Sequence, residues 1–371
     1  MTTKTEKPRV AIISCGLGNV NRGFETAAAR WYQALQHCEE INVRLFCGGR
    51  HAGGTQVFNV GRDGFIASCL RRLRLIHDGA RVEQISYAIG VLPYLLRWQP
   101  DVVWLQEYTL ALLLQRIGRR LGLKCKIIFC NGAPIGPEQC QSFDFIQHLQ
   151  ERSYQDATNF GLKPEMMTIL PHCSPVPDLQ WKNDSQRSKY GLDKIDWVVV
   201  CVAAWNRHHK RIDYLIEEIA ALDDQSIKLL LCGQPEEEAD SLKQLASEKL
   251  AGQVTWLTLP ADEIYRVLAL SDVFVLPSLT EGLGAVLIEA ALCGVPVVCH
   301  PHDGGNFVFK ECGWALTDLS QKGNLTARLQ EHKREPISAE HLQKMRLHAR
   351  NHFSCPSLAP RFVQMVKHVL Q

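Results

Sequence analysis

The chain has 371 residues, 46% of them hydrophobic and 22% charged, and 41 Lys and Arg against 39 Asp and Glu leave a formal net charge of +2. That length exceeds what one hydrophobic core usually supports, so two domains are expected, while the near-neutral charge gives no general drive toward nucleic acid. The composition is that of an ordinary globular protein, which excludes the disordered and membrane-spanning classes.

Fourteen cysteines lie scattered through apolar segments such as Leu230-Leu231-Cys232 and Val297-Val298-Cys299, without a CxxC spacing. This pattern predicts reduced, buried thiols and no metal site. The N-terminus, Met1 to Pro8, is polar, and Val10 to Ile13 is too short for the core of an export signal. Ile89 to Trp98 and Leu110 to Leu114 fall well short of the roughly 20 residues that span a bilayer. A cytoplasmic location is expected.

Val10 to Ser14 reads as a buried strand, followed by a loop holding Gly16 and Gly18 and a helix from about Glu25 to His37. Further strands are predicted at Val43 to Phe46, Val102 to Leu105 and Ile127 to Cys130, with a helical segment over Leu110 to Leu121. Alternation of this kind implies a parallel sheet covered by helices. A polar stretch containing Pro175, Pro177, Lys182, Asn183, Asp184, Ser185 and Gln186 then interrupts the pattern. Strands recur at Val198 to Ala203, Lys228 to Cys232, Val254 to Leu257, Val273 to Leu276 and Val295 to Cys299, with helices between them. The expected domains are 1–177 and 195–355, joined by a linker over 178–194 and followed by an amphipathic helix within 356–371.

The most informative segment runs from Leu276 through Glu281, Gly282, Leu283 and Gly284 to Glu289 and Gly294. It reads as strand end, loop, helix and glycine stop. Gly282 and Gly284 allow a sharp turn close to a ligand, and the helix opening near Gly284 offers free N–H groups to a diphosphate. Glu281 precedes that helix and Glu289 lies inside it, so two carboxylates bracket roughly 7 to 8 Å at about 1.5 Å per residue. Such groups accept hydrogen bonds from sugar and ribose hydroxyls. After the first strand of the second half, the run Trp205-Asn206-Arg207-His208-His209-Lys210-Arg211 places cations where open parallel sheets bind their ligands.

Glu281 and Glu289, with seven residues between them in this context, resemble the paired-Glu motif of family-4 glycosyltransferases. The resemblance spans almost the whole chain. It implies an α/β GT-B fold, two doubly wound Rossmann-like domains with a cleft between them, and retaining transfer from a nucleotide-diphosphate sugar. It implies that Arg207 and Lys210 hold the donor diphosphate without a metal or other cofactor. His300 to Asn306 resembles the family's glycine-containing loop, and Leu259 with Pro260 takes the place where the family cradles the base. His300 and His302 alone make a weak metal pair.

In the first half, Gly16 and Gly18 match the family loop close to the donor phosphates, and Arg22-Gly23-Phe24-Glu25 resembles the stretch that opens its first helix. Gln106 stands where the family often has a histidine near the reacting sugar. Glutamine can hydrogen-bond a hydroxyl but cannot act as a base at neutral pH. Glu107 either orients the acceptor or is an exposed loop carboxylate. Asn131 and Gly132 are placed to contact the acceptor, and His172 replaces a family asparagine before the linker, where a hinge role is favoured.

Arg71, Arg72, Arg74, Arg81, Arg116, Arg119, Arg120, Lys124 and Lys126 fall in the first half, several beside Leu and Ile. They form either a solvated basic face or a surface for anionic lipid at the inner face of the membrane. The expected acceptor is a glycan, a lipid-linked sugar or a small molecule. Two other readings are an inactive nucleotide-sugar-binding protein, suggested by Gln106, and another GT-B enzyme such as a nucleotide-sugar epimerase or a phosphorylase.

Overall fold

A computed structural model describes residues 6–20, 22–62, 64, 69, 72, 79–132, 135–178 and 187–371. The chain divides into two compact units, Met1–Pro175 with Cys355–Gln371, and Val176–Ser354. Residues 179–186 of the expected linker lie outside the described residues, as do Arg71 and Arg74 of the basic set and Ala133 and Pro134 after Gly132.

The first unit contains, in chain order, β1 (Arg9–Ser14), α1 (Gly23–Leu35), β2 (Asn42–Cys47), β3 (Gly54–Gln56), α2 (Gly79–Trp98), β4 (Val102–Leu105), α3 (Tyr108–Leu113), β5 (Lys126–Asn131), α4 (Pro137–Cys140), β6 (Phe145–His148), α5 (Glu151–Phe160) and β7 (Met167–Ile169). Its strands pair in parallel in the order β3-β2-β1-β4-β5-β6-β7. Val10, Ala11, Ile12 and Ile13 are fully buried, as expected for a central parallel strand covered on both faces. The segment expected as one helix over Leu110 to Leu121 is α3 followed by a π-helical turn at Leu114–Gly118.

In the second unit, β8 (Trp197–Val202), α6 (Ile212–Ala220), β9 (Ile227–Cys232), α7 (Ala239–Lys249), β10 (Val254–Leu257), α8 (Ala261–Leu270), β11 (Val273–Leu276), α9 (Ala285–Cys293), β12 (Val297–Cys299), α10 (Asp303–Val308), α11 (Asn324–Arg334) and α12 (Ala339–Phe353) follow one another. The five strands are parallel in the order β10-β9-β8-β11-β12. The last strand starts at Val297 rather than Val295, because Pro296 has no N–H to give the ladder; its carbonyl accepts from Phe274 at 2.8 Å.

The terminal helix α13 (Cys355–Val369) returns to the first unit. Its apolar face carries Phe362, whose ring packs 4.7 Å from Trp31 and 6.3 Å from Trp104. Removing a fully buried ring of this kind costs about 3–5 kcal/mol.

In both sheets the strand order reverses about the first strand, between β1 and β4 and between β8 and β11. Loops leaving the carboxyl ends of two such strands diverge and leave room for a ligand. No helix among the described residues is long and apolar enough to cross a membrane.

Candidate functional site

The switch point of the second unit holds Lys210 from the loop after β8 and Glu281 from the loop after β11. Asn206, 4% exposed, shapes the first of these loops. Its Oδ1 accepts from the backbone N–H of His209 at 3.1 Å and of Lys210 at 2.7 Å, while its Nδ2 donates to Glu236 at 2.8 Å. Arg211, held at a positive φ of 52°, ties the loops together by donating to the carbonyls of Pro277 at 3.1 Å and Leu319 at 2.7 Å. The consequence is a direct ion pair between Lys210 Nζ and Glu281 Oε1, in which both side chains are largely buried. His209 joins them, with Nε2 at 3.1 Å from the Thr280 carbonyl and 3.8 Å from Glu281.

Beside this pair, Gly284 adopts φ 70°, a left-handed conformation that glycine reaches without steric cost, and opens α9 with no side-chain cap. The first amides of α9 therefore face the loop with the positive end of the helix dipole. Leu283 is buried, and the carbonyl of Leu283 lies so close to Gly304 that a Cβ there would stand 2.6 Å from it. Glu289 is buried on α9. Gly294 ends the helix at φ 68°, as the glycine stop predicts.

Arg207 does not join Lys210. Its guanidinium lies 3.6 Å from Asp213 and 3.8 Å from Glu238, and its backbone N–H donates to Glu238 at 2.7 Å. His302 Nδ1 accepts from the Gly305 amide at 2.9 Å and caps α10, while His300 Nδ1 accepts from Leu319 at 3.1 Å. Burial pushes His302 down to about 4. Among the described residues no group of three His, Cys, Asp or Glu is placed to hold a metal ion. The half-buried Leu259 follows β10, next to Thr258, whose hydroxyl donates to Gly233 at 2.8 Å and links the loops after β9 and β10. Trp205 and Trp256 meet edge to face at 4.8 Å beneath them.

The switch point of the first unit brings the glycine loop against a buried acidic cluster. Glu107 is 5% exposed, which removes the exposed-loop reading. It accepts from Cys15 N at 3.0 Å, the Ser14 hydroxyl at 3.2 Å and Gln106 N at 3.3 Å. Glu83 on α2 accepts from Arg62 at 2.7 Å and 2.6 Å, and Arg62 also lies 3.5 Å from Glu25. Two buried carboxylates, Glu83 and Glu25, thus share the Arg62 guanidinium, while Glu107 is held by neutral donors. Glu25 is the poorly compensated member: Oε2 has no hydrogen-bond partner among the described residues, and burial raises its carboxyl from the ordinary 4.5 to about 7. Glu25 lies directly under Gly16, where a Cβ would stand 2.1 Å from its Oε1. Gly18, at φ 87°, packs on the backbone of Gly49 and Arg50. Both glycines are therefore required by packing, whatever else approaches them.

Gln106 is 3% exposed and donates to the Phe24 carbonyl at 2.9 Å. Its Oε1 has no partner among the described residues and lies against Gly132. Asn131 bonds both backbone groups of Ile135 at 3.2 and 3.3 Å. His172 is buried, and burial together with the charge of Arg30 pushes its pKa down to about 3. Of the basic residues, Arg116 and Arg120 flank Ile117 and Leu121, which are 44% and 57% exposed, whereas Arg119 is paired with Asp144 at 2.6 Å.

Sequence reasoning identified Lys210 and Glu281 but passed over Asn206, Arg211 and His209, which place them. Asn206 carried a local signal, a side chain able to bond the amides three and four residues ahead. Arg62 and Glu83 carried none.

Residues 196–329 match the family described as Glycosyl transferases group 1. A stretch of 180 residues is 31% identical to D-inositol 3-phosphate glycosyltransferase of Rhodococcus jostii, covering 44% of this chain and 39% of that protein. A stretch of 140 residues is 25% identical to the phosphatidylinositol N-acetylglucosaminyltransferase GPI3 subunit of Saccharomyces cerevisiae, covering 37% and 31%. The chain thus spans well under half the length of these relatives. Among solved structures, sucrose-phosphate synthase from Thermosynechococcus elongatus superimposes with a TM-score of 0.78 at 16% identity over 98% of this chain and 99% of that one. Anabaena HepE in complex with UDP and glucose gives 0.75 at 13% over 97% and 99%. The second unit is a glycosyl transferases group 1 domain, and the fold of the whole chain is that of the two-domain GT-B glycosyltransferases.

Proposed function

We propose that the chain is a glycosyltransferase that takes a sugar from a nucleotide-diphosphate donor bound by its second unit. The observation that carries this reading is the Lys210–Glu281 pair beside the uncapped start of α9, within a glycosyl transferases group 1 domain. Departure of a nucleoside diphosphate concentrates negative charge on its phosphates. The Lys210 ammonium and the α9 amides offset that charge without a metal ion. Glu281 orients Lys210 and shares its acceptor capacity with hydroxyls of the transferred sugar, while Glu289 serves the nucleotide side. Arg207 reaches the diphosphate by exchanging Glu238 for it.

Gln106 cannot take a proton from the acceptor at neutral pH. The resemblance to family-4 glycosyltransferases implies retention of anomeric configuration, and in that reading the departing phosphate oxygen receives the acceptor proton that Gln106 cannot take. HepE, whose structures contain UDP and UDP-glucose, supports a nucleotide-sugar donor. The relatives named for inositol phosphate and phosphatidylinositol support a polyhydroxylated, glycan or lipid-linked acceptor. Exposed Ile117 and Leu121, beside Arg116 and Arg120, suit peripheral contact with an anionic membrane surface on the cytoplasmic side.

The test is a thermal-shift series against UDP, GDP, ADP and their common sugars, since a ligand of the folded state raises its stability. A selective rise with one nucleotide is expected, followed by transfer with the configuration read by NMR of the product. No shift at millimolar ligand overturns the donor site, an inverted anomer overturns retention, and binding without transfer to a broad acceptor panel makes the chain a binding protein.

A further inference from the structure

Fourteen cysteines gave no pairing in the sequence, and eleven of them are buried. Cys173 and Cys355, which are 182 residues apart, nevertheless meet with their sulfurs 3.1 Å from each other. The backbone N–H of Cys355 donates to the Ser174 carbonyl at 2.9 Å, so the two chain segments are held side by side. Arg30 donates to the Ser174 hydroxyl at 3.3 Å. Cys173 is fully buried, whereas Cys355 is partly exposed and is the first residue of α13. The position is distinctive, because the chain leaves the first unit after Pro175 and re-enters it at Cys355. The thiol pair lies within two residues of both crossings.

We propose that Cys173 and Cys355 are a site of reversible oxidative modification, forming a disulfide that clasps the exit and the re-entry of the chain. The chemistry of the two thiols is unequal. Cys355 is lowered below its ordinary range, first by the hydrogen bond from Cys173 and further by the charge of Arg30. The amino end of α13 favours its thiolate as well. Burial pushes Cys173 well up, so it stays protonated. Cys355 is therefore the attacking group and Cys173 the resolving one.

The oxidant is a small disulfide such as glutathione disulfide. The Cys355 thiolate attacks one of its sulfurs, the oxidant's S–S bond breaks, a glutathione thiolate leaves and a mixed disulfide remains on Cys355. Cys173 then gives up its proton to solvent and attacks the Cys355 sulfur, expelling the second glutathione. Two protein thiols are oxidised and one glutathione disulfide is reduced to two thiols. The sulfurs need to close by only about 1 Å to reach disulfide length. The product ring encloses the entire second unit.

The test uses the full chain under native conditions, incubated with glutathione disulfide, then alkylated, digested without reduction and analysed by mass spectrometry. A linked Cys173–Cys355 peptide is expected, reversed by dithiothreitol and formed at least about tenfold faster than any adduct on the partly exposed Cys38, as thiolate character dictates. Cys173→Ser should stop the reaction at a glutathione adduct on Cys355, and Cys355→Ser should prevent linkage. Both variants are checked for folding by circular dichroism. Singly alkylated Cys173 and Cys355 after Cys38 has reacted, or an equal yield of the linked peptide in urea, would overturn the proposal.

Discussion

The ammonium of Lys210 donates to the carboxylate of Glu281 across two loops that leave adjacent strands, β8 and β11, at the point where the sheet order reverses. Each is the other's principal partner, and both are shielded from solvent. On the proposed mechanism Lys210 acts on charge that grows only as the donor breaks. Lys210→Ala and Glu281→Ala are each expected to lower turnover by about 10²–10³, the range for removal of one such stabilising group. Lys210→Ala should also cost about 1–3 kcal/mol of stability, because it leaves a shielded carboxylate without its donor. Glu289→Ala should raise the nucleotide Kd more than it lowers turnover. Steady-state kinetics with nucleotide titrations separate these cases, and near-wild-type rates in folded Lys210 and Glu281 variants would remove the assignment.

Asn206 touches no proposed substrate, yet its carboxamide oxygen fixes the amides of His209 and Lys210. It is a positioning residue. Asn206→Ala is expected to reproduce most of the Lys210→Ala loss in turnover while changing nucleotide affinity by less than about threefold, since the three bonds of its carboxamide, each worth roughly 1 kcal/mol, hold the loop rather than the ligand. A loss in stability alone, with turnover preserved, would make the residue merely structural.

The first unit should carry a pH signature of opposite terms. Burial raises Glu25 to about 7, with Glu107 adding to the shift and Arg62 and Arg22 opposing it. The folded state then keeps a proton that the unfolded chain releases above about 4.5. Its contribution to stability is full below pH 4.5 and is lost as pH rises through 7. His148 and His172 are pushed down to about 4 and about 3, so the folded state refuses protons that the unfolded chain binds below 6.5. Their contribution is full above pH 6.5 and is lost as pH falls. These two histidines oppose two carboxyls, because burial also raises Glu107, so the slope between pH 4.5 and 6.5 is the difference between the two pairs. Glu25→Gln removes one of the opposing carboxyls, so it should make that slope more positive and add on the order of 3 kcal/mol at pH 8 relative to wild type. Urea melts from pH 5 to 8 measure this, and an unchanged slope would show that Glu25 ionises normally.

The strands that could be read from sequence are those covered on both faces, where apolar residues run without interruption, as in Trp197–Val202. Gly54–Gln56 has no such run. Phe145–His148 ends in polar residues that are nonetheless buried, because Gln147 accepts from Trp104 and donates to Leu170, both at 2.6 Å. The same distinction governs the sites. Lys210 and Glu281 sit at strand ends, where topology alone makes residues converge. Glu25, Arg62 and Glu83 come from a helix start, a loop and a second helix, and no local period announces their meeting. Glu107 looked equally like a surface carboxylate until its three donors were in view.

Gln106 closes the loop after β4 by donating to Phe24, at the start of α1, so it joins the two elements that frame the glycine loop. Its Oε1, without a partner among the described residues, lies against Gly132 in the loop proposed to face the acceptor. Gln106→Ala is expected to lower turnover about tenfold or more, leave the nucleotide-induced thermal shift unchanged and cost about 1 kcal/mol for the unpaired Phe24 carbonyl. Gln106→His keeps a ring N–H for that carbonyl and restores a titratable group. If a base limits the reaction, this variant should gain activity as pH rises through 6–7, while wild type stays flat there. If the donor phosphate takes the proton, as proposed, both profiles stay flat. Turnover in Gln106→Ala equal to wild type would remove the residue from the site altogether.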